Sequence, residues 1–252
     1  MKRYTLLILM ALATLSAKAQ HEAQQWFEQA NAAYNAGNYD SALMLYDRIT
    51  DANLESAPLY LNMGNTHYKM RNYPMAIYCY EKALKLDPSN DDVHANLAIA
   101  NLAIVDRIDE VPQSFIVKGW NTLKQAFSGR QWTVLSIVAF GLLLVSLFLF
   151  LRSGRMGWRK SGFFAGILML VVFALSALFA AQQKRASLTE DHAIIITPTV
   201  TVKSTPNEAS VDLFVLHEGT KVELLDHADG WNKVKIANGS IGWLQSETML
   251  PF

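Results

Sequence analysis

Hydrophobic and polar positions change pattern several times along the chain. Residues 1–19 begin with Lys2 and Arg3, run through apolar Leu6 to Leu15 and finish on Ala17-Lys18-Ala19 before Gln20. The run is shorter than the ~20 residues of a bilayer span and precedes a small-x-small site, so a cleaved secretory signal is expected, with an uncleaved anchor as the alternative. Trp132 to Leu151 and Ser161 to Ala181 carry no charge. Each can cross ~30 Å of hydrocarbon at ~1.5 Å per residue, which predicts a two-helix transmembrane hairpin, 132–151 and 161–181. The intervening loop, 152–160, holds Arg152, Arg155, Arg159 and Lys160. Short, dense positive loops stay cytoplasmic. Basic residues also flank the hairpin on its other side, but the exported N-terminus decides the orientation and puts both soluble parts outside the cytoplasm.

Before the hairpin, Ile116, Trp120, Leu123 and Phe127 recur at helical spacing with Lys118, Lys124 and Arg130 between them. Residues 107–131 therefore read as an amphipathic juxtamembrane linker at headgroup level, with a bend at Ser128-Gly129. Gly162 and Gly166 form a GxxxG, suited to packing the two spans together or to a dimer contact. After a linker at 182–192, residues 193–252 alternate with period two and are punctuated by Pro198, Pro206, Gly219, Gly230, Gly239 and Gly242. An all-β small barrel of about five strands is expected.

Shifting residues 20–106 by 34 pairs Trp26 with Tyr60, Tyr34 with Tyr68, Asn38 with Asn72, Ala42 with Ala76 and Tyr46 with Tyr80. That is the period of tetratricopeptide (TPR) repeats. The copy at 57–90 resembles one closely through Gly64, Tyr68, Tyr73, Ala76, Tyr80, Ala83 and Pro88. The copy at 23–56 has Ala30 in place of the glycine and Leu54 in place of the proline, and 91–106 reads as a capping helix. The small residues let paired helices approach, while the tyrosines and Trp26 fill the layer between repeats. The resemblance implies a concave peptide groove at Phe27, Asn31, Tyr34, Asn35, Leu61, Asn65, Tyr68 and Lys69. Asn31 and Asn65 are similar to the paired asparagines that hold an extended peptide backbone. A carboxylate clamp is not implied, because Phe27, Ala95 and Ile99 stand where it needs cations.

The C-terminal segment resembles the bacterial SH3 (SH3b) family through Val202-Lys203-Ser204-Thr205-Pro206, Gly230-Trp231 and Gly242-Trp243-Leu244. Trp231 and Trp243 are its candidate ligand-groove residues. A small barrel needs its large apolar side chains, which favours the core for both. The resemblance allows cell-wall peptides or proteins as ligands.

Charge narrows the function. Residues 20–112 hold 13 acidic and 6 basic side chains and the whole chain is neutral, so a basic nucleic-acid face is excluded. An acidic module favours ligand segments of basic or apolar character. The lone Cys79 excludes a disulfide framework and a CxxC pair. Six dispersed histidines and the absence of HExxH, GxSxG, GxGxxG and P-loop patterns leave no catalytic residue, metal or cofactor to expect.

The order of signal, TPR repeats, two-span hairpin and SH3b domain resembles BatE-type proteins of the Bacteroides aerotolerance (Bat) group. That resemblance implies a non-enzymatic component of a bacterial inner membrane, with its TPR and SH3b domains in the periplasm. It also implies assembly with membrane proteins carrying von Willebrand A domains, other Bat components and a MoxR-type ATPase. The lipid bilayer and peptidoglycan are further expected partners, and nucleic acid is not.

Overall fold

The computed structural model describes residues 20–108, 112, 114–189 and 191–252. The expected secretory signal lies outside these residues. The described residues divide into two compact units, one drawn from 20–83, 91–108 and 192–252, the other from 84–90, 112, 114–189 and 191. The helical repeat and the C-terminal sheet therefore belong to one unit, although the hairpin separates them in sequence.

In the first unit, α1 (20–35), α2 (Tyr39–Asp51), α3 (Ala57–Lys69), α4 (Tyr73–Leu86, whose last turn counts with the second unit) and α5 (Asp91–Asn101) follow one another. Local chemistry sets their ends. Ser56 accepts from the Leu59 amide at 3.3 Å, and Pro58 in the first turn of α3 gives up a donor that would have no partner there. Gly37 and Arg71, 34 residues apart, both take left-handed backbone (φ 79° and 62°) after the first helix of each repeat.

Small residues act as the sequence predicts. Ala30, Ala42, Ala76 and Ala83 are fully buried, and Tyr46, Tyr60 and Tyr80 fill the space between helices. Gly64 is required sterically, since a Cβ there would lie 2.5 Å from Cε1 of Tyr80. Trp26 is only half-buried. The capping helix is shorter than expected: α5 ends at Asn101, and 102–108 continue as turn, bends and irregular chain.

The C-terminal strands are β1 (His192–Ile195), β2 (Thr199–Lys203), β3 (Asp212–His217), β4 (Lys221–Ala228), β5 (Trp231–Lys235), β6 (Ile241–Gln245) and β7 (Met249–Pro251). They form one antiparallel sheet in the order β3-β2-β6-β5-β4-β1-β7. This differs from a five-stranded closed barrel in two respects. The short outer segments β1 and β7 pair with each other, Ile195 opposite Met249, and β3 and β7 remain as the two edges of an open sheet. Val200, Val202, Leu216, Val222, Val234 and Leu244 nevertheless converge with Ile195 and Met249 in a single core. Neither Trp231 nor Trp243 joins that core; both are half-buried, so the core role favoured from the sequence is not the one they take.

The second unit holds α6 (Phe115–Gln125), α7 (Gly129–Arg152) and α8 (Met156–Leu188). Ser128 breaks the chain between α6 and α7 through a capping box with Gln131. This is the bend expected at Ser128-Gly129. Both α7 and α8 are long and apolar enough to span a membrane, with mean hydropathy 2.9 and 2.6. The turn between them is tighter than the nine residues expected. Only 153–155 lie outside helix, because nothing after Arg155 interrupts helical bonding and Arg159 and Lys160 join the start of α8. At the other end α8 continues through most of the expected 182–192 linker.

Gly162 explains the close approach of α7 and α8. A Cβ at this position would lie 2.8 Å from both the Phe150 amide nitrogen and the Ser146 carbonyl oxygen. Gly166 is less constrained, with Ser146 Cβ at 3.7 Å. The glycine motif is thus engaged within the hairpin.

Candidate functional site

The repeat builds a polar ladder along its groove. Tyr46 Oη donates to Asn31 Oδ1 at 2.6 Å, and Asn62 Nδ2 donates to the same oxygen at 2.8 Å. One repeat later Tyr80 Oη donates to Asn65 Oδ1 at 2.8 Å, and Asn96 Nδ2 joins it at 2.9 Å. Every member is displaced by 34 residues from its counterpart. Each acceptor oxygen already receives two donors, which fixes the amide orientation, since a flipped amide would set its nitrogen against two donors. The Nδ2 groups of Asn31 and Asn65 remain, without partners among the described residues, as donors on adjacent helices. These asparagines therefore offer donors, where the sequence alone allowed both donors and acceptors.

The surrounding space is open. A cavity of about 230 Å³ is lined by Asn31, Tyr34, Asn35, Asn62 and Asn65. A second, of about 290 Å³, is lined by Tyr34, Asn65, Tyr68, Lys69, Asn96 and Ile99, among others. Tyr34 and Asn65 are common to both, so the two cavities form a continuous trough. Edge-on or tilted partners hold its tyrosines, Tyr39 against Tyr34 and Tyr73 against Tyr68, both at 5.5 Å between ring centres.

Six of the eight predicted groove residues thus line the trough: Asn31, Tyr34, Asn35, Asn65, Tyr68 and Lys69. Phe27 and Leu61 do not. Phe27 is half-buried and its ring packs 6.0 Å from Tyr46. Asn62 and Asn96 were missed as groove residues, although the same 34-residue shift pairs them and would have found them.

Cys79 is not a reactive site. It is buried on α4, and burial, with Asp47 adding to it, pushes its thiol up to about 12. His67 is half-buried, and burial lowers its pKa from the usual histidine value. Among the described residues no group of three His, Cys, Asp or Glu is placed to hold a metal ion. A histidine–carboxylate pair does form, His217 Nδ1 lying 2.7 Å from Asp106 Oδ1. The nearby hydroxyl of Thr220 donates to Asp106 and not to the imidazole, which is not the geometry of an activated nucleophile.

In the sheet, Trp231 borders a cavity of about 570 Å³ together with Thr199, Thr201, Lys203, Glu208 and Gln245. Trp243 does not line it; Lys233 Nζ lies 6.0 Å from its ring centre.

Residues 57–90 match the tetratricopeptide repeat family. A 63-residue stretch, a quarter of this chain, is 36% identical to sperm-associated antigen 1 of Homo sapiens and spans 7% of that protein's length. The chain thus carries a tetratricopeptide repeat, a module that is typically a scaffold, and this supports an adaptor role in protein–protein interaction.

Proposed function

We propose that this chain is a non-enzymatic membrane adaptor that receives an extended segment of a partner protein in the trough between α1 and α3. The observation that carries the reading is the doubled ladder, which aims two amide donors, from Asn31 and Asn65, at one open trough. An extended peptide presents carbonyl acceptors along its length, and the tyrosines beside the donors suit its apolar side chains. Lys69 is the one cation among the predicted residues lining the trough. Helices α7 and α8 supply the membrane anchor. In favour of that anchor, only 17% and 11% of their most apolar windows are buried by protein, whereas a soluble core helix is mostly covered.

A two-span hairpin returns the chain to the side it left. The packing of the repeat and the sheet into one compact unit supports a common side for both. The expected signal at 1–19 and the basic turn after α7 favour the periplasm. The order of modules favours a Bat-type assembly whose partners are von Willebrand A-domain membrane proteins.

The test is affinity capture from membranes by the full-length chain and by Asn31→Ala and Asn65→Ala variants. Loss of the same partners from both variants supports recruitment through the trough; an unchanged set overturns it. A second reading, a cell-wall tether, draws on the cavity beside Trp231, whose mixed Lys203 and Glu208 lining suits a peptide bearing both charges. Full-length protein that fails to sediment with purified sacculi, or a Trp231→Ala variant that sediments equally well, would remove it.

A further inference from the structure

The end of the hairpin at which α6 meets α7 holds a further cavity, unrelated to the peptide trough. Its volume is about 470 Å³, and Gly129, Arg130, Thr133, Ala180, Gln183 and Lys184 line it, with Lys85 at one wall. All belong to the second compact unit.

Gln183 gives the cavity its chemistry. Its Nε2 donates to the carbonyls of Lys124 at 2.6 Å and Phe127 at 2.9 Å, while the Trp132 indole also donates to Lys124 at 3.0 Å. These bonds satisfy carbonyls at the C-terminal end of α6. They also fix the amide, because the flipped orientation would press its oxygen against two carbonyls. Gln183 is only 9% exposed, and its Oε1 is buried without a hydrogen-bond partner. It faces Gly129, where an added Cβ would lie 3.4 Å away. A buried amide oxygen left unpaired calls for a donor.

The cavity's other groups favour an anion. Arg130 and Lys184 stand at its wall, and in the first turn of the 24-residue α7 the Ser128 hydroxyl takes the Gln131 amide, which leaves the Gly129 and Arg130 amides without an acceptor within the helix. Between Glu110 and Glu190 the sequence has nine basic and no acidic residues, and five of the nine, Lys118, Lys124, Arg130, Lys184 and Arg185, fall at this end of the spans. Thr133 and Ala180 carry the lining onto the apolar surface, where Val134 and Ile137 stand exposed on α7.

We propose that this cavity binds the headgroup of an anionic phospholipid that also carries a hydroxyl, of the phosphatidylglycerol class. The phosphate lies between Arg130 and Lys184 at the α7 N-terminus. The headgroup hydroxyl donates to Gln183 Oε1 past the bare Cα of Gly129, and the acyl chains follow α7 and α8. An ammonium headgroup would supply a donor too, but it would meet the cations. A free phosphate would leave the apolar side of the lining unused. The proposal rests on the reading of α7 and α8 as membrane spans.

The experiment uses the full-length protein, reconstituted into vesicles of equimolar phosphatidylglycerol, phosphatidylcholine and phosphatidylethanolamine, extracted with mild detergent and weighed by native mass spectrometry. Phosphatidylglycerol should be retained over both neutral lipids. The Arg130→Gln/Lys184→Gln variant should lose that retention by roughly tenfold, two surface cations being removed. Gly129→Ala should weaken retention of phosphatidylglycerol but not of phosphatidic acid, which lacks the headgroup hydroxyl. Equal retention of all three lipids by the wild type, or retention unchanged in the double variant, would overturn the proposal. Displacement of the retained lipid by inorganic phosphate at the lipid's own concentration would overturn it in favour of a free phosphate site. Vesicle flotation separates the underlying reading: a chain that does not float has no spans, whereas one that floats without lipid preference has spans and no such site.

Discussion

The carboxylate of Asp106, five residues beyond the end of α5, is held by His217 at the end of β3 through both the backbone amide and the ring Nδ1, each at 2.7 Å. Thr220 Oγ1 adds a third bond at 2.7 Å. An ionised carboxylate only accepts, so Nδ1 of His217 carries the proton. Around this contact Lys221 Nζ reaches Glu81 at 2.7 Å, and Gly219, at φ 87°, fits beneath Ile104, whose Cγ2 would lie 2.4 Å from a Cβ there. The repeat and the sheet are thus joined by a built junction within one unit.

Acid should loosen that junction. Partial burial opposes ionisation of Asp106, but the His217 amide, the His217 ring and the Thr220 hydroxyl outweigh it and hold the carboxyl below its ordinary value of 3.8. A depressed carboxylate stabilises the folded state above the unfolded pKa, and that contribution disappears as pH falls through the lower folded value. Protection of the His217 amide, its exchange measured against the free-peptide rate at the same pH, should therefore be high at neutral pH and fall below about pH 4. Asp106→Asn should lower that protection at neutral pH, converge with the wild type in acid, and cost about 2 kcal/mol in denaturant unfolding near pH 7. Identical exchange in the two proteins would show that the junction contributes nothing.

Glycine at position 64 should be necessary for the repeat and not merely tolerated. Gly64→Ala gains up to about 1 kcal/mol of helix propensity, yet its Cβ would collide with the buried Tyr80 ring and displace the hydroxyl that donates to Asn65. Overpacking typically costs ~1–3 kcal/mol, so the net change should be destabilising. Gly119→Ala is the control, since its Cβ would enter open space on α6. Thermal unfolding should fall for the first variant and hold or rise for the second.

The difference between these two cases marks how far the sequence could be read. A period of 34 carries the groove, because the ladder from Asn31 to Asn65 repeats contacts made within one repeat length, 15 and 31 residues apart; Asn62, Asn96, Tyr80 and Ile99 line it without having been predicted to. Asp106 and His217 stand 111 residues apart, across a hairpin, and no periodicity connects them. The strands were legible by alternation, but the pairing of β1 with β7 depends on the two ends of the sheet meeting. Trp231 and Trp243 illustrate the same limit. Smaller aliphatic residues already fill the core, which leaves both rings partly on the surface.

Alkali should destabilise the repeat before its other side chains matter. Burial raises Cys79 from 9.0, and Tyr46 and Tyr60 from 10.0, each to about 12. For groups raised in this way the folded state holds its protons longer, so stability is intact below the unfolded values and declines as pH rises from about 9 towards 12. The same burial makes Cys79 slow to alkylate. Iodoacetamide at pH 8 should label the native chain far more slowly than the urea-unfolded chain, and labelling should follow the unfolding curve. Rapid labelling of the native protein would show that the Cys79 thiol is accessible in the folded repeat.

Hairpin packing should depend on one of the two motif glycines and not on both. A side chain at Gly162 meets backbone, the Phe150 amide and the Ser146 carbonyl at 2.8 Å, and backbone in two helices cannot yield without separating them. At Gly166 an added methyl would meet only the Ser146 Cβ, at an ordinary 3.7 Å. Gly162→Leu should therefore force α7 and α8 apart, lower the melting temperature of the full-length protein in detergent and weaken crosslinking between cysteines placed at Leu149 and Phe163. Gly166→Ala should leave both measurements near wild type. A hairpin indifferent to Gly162→Leu would mean that the helices are held by their loops and termini, and the glycines would then be available for contacts between chains.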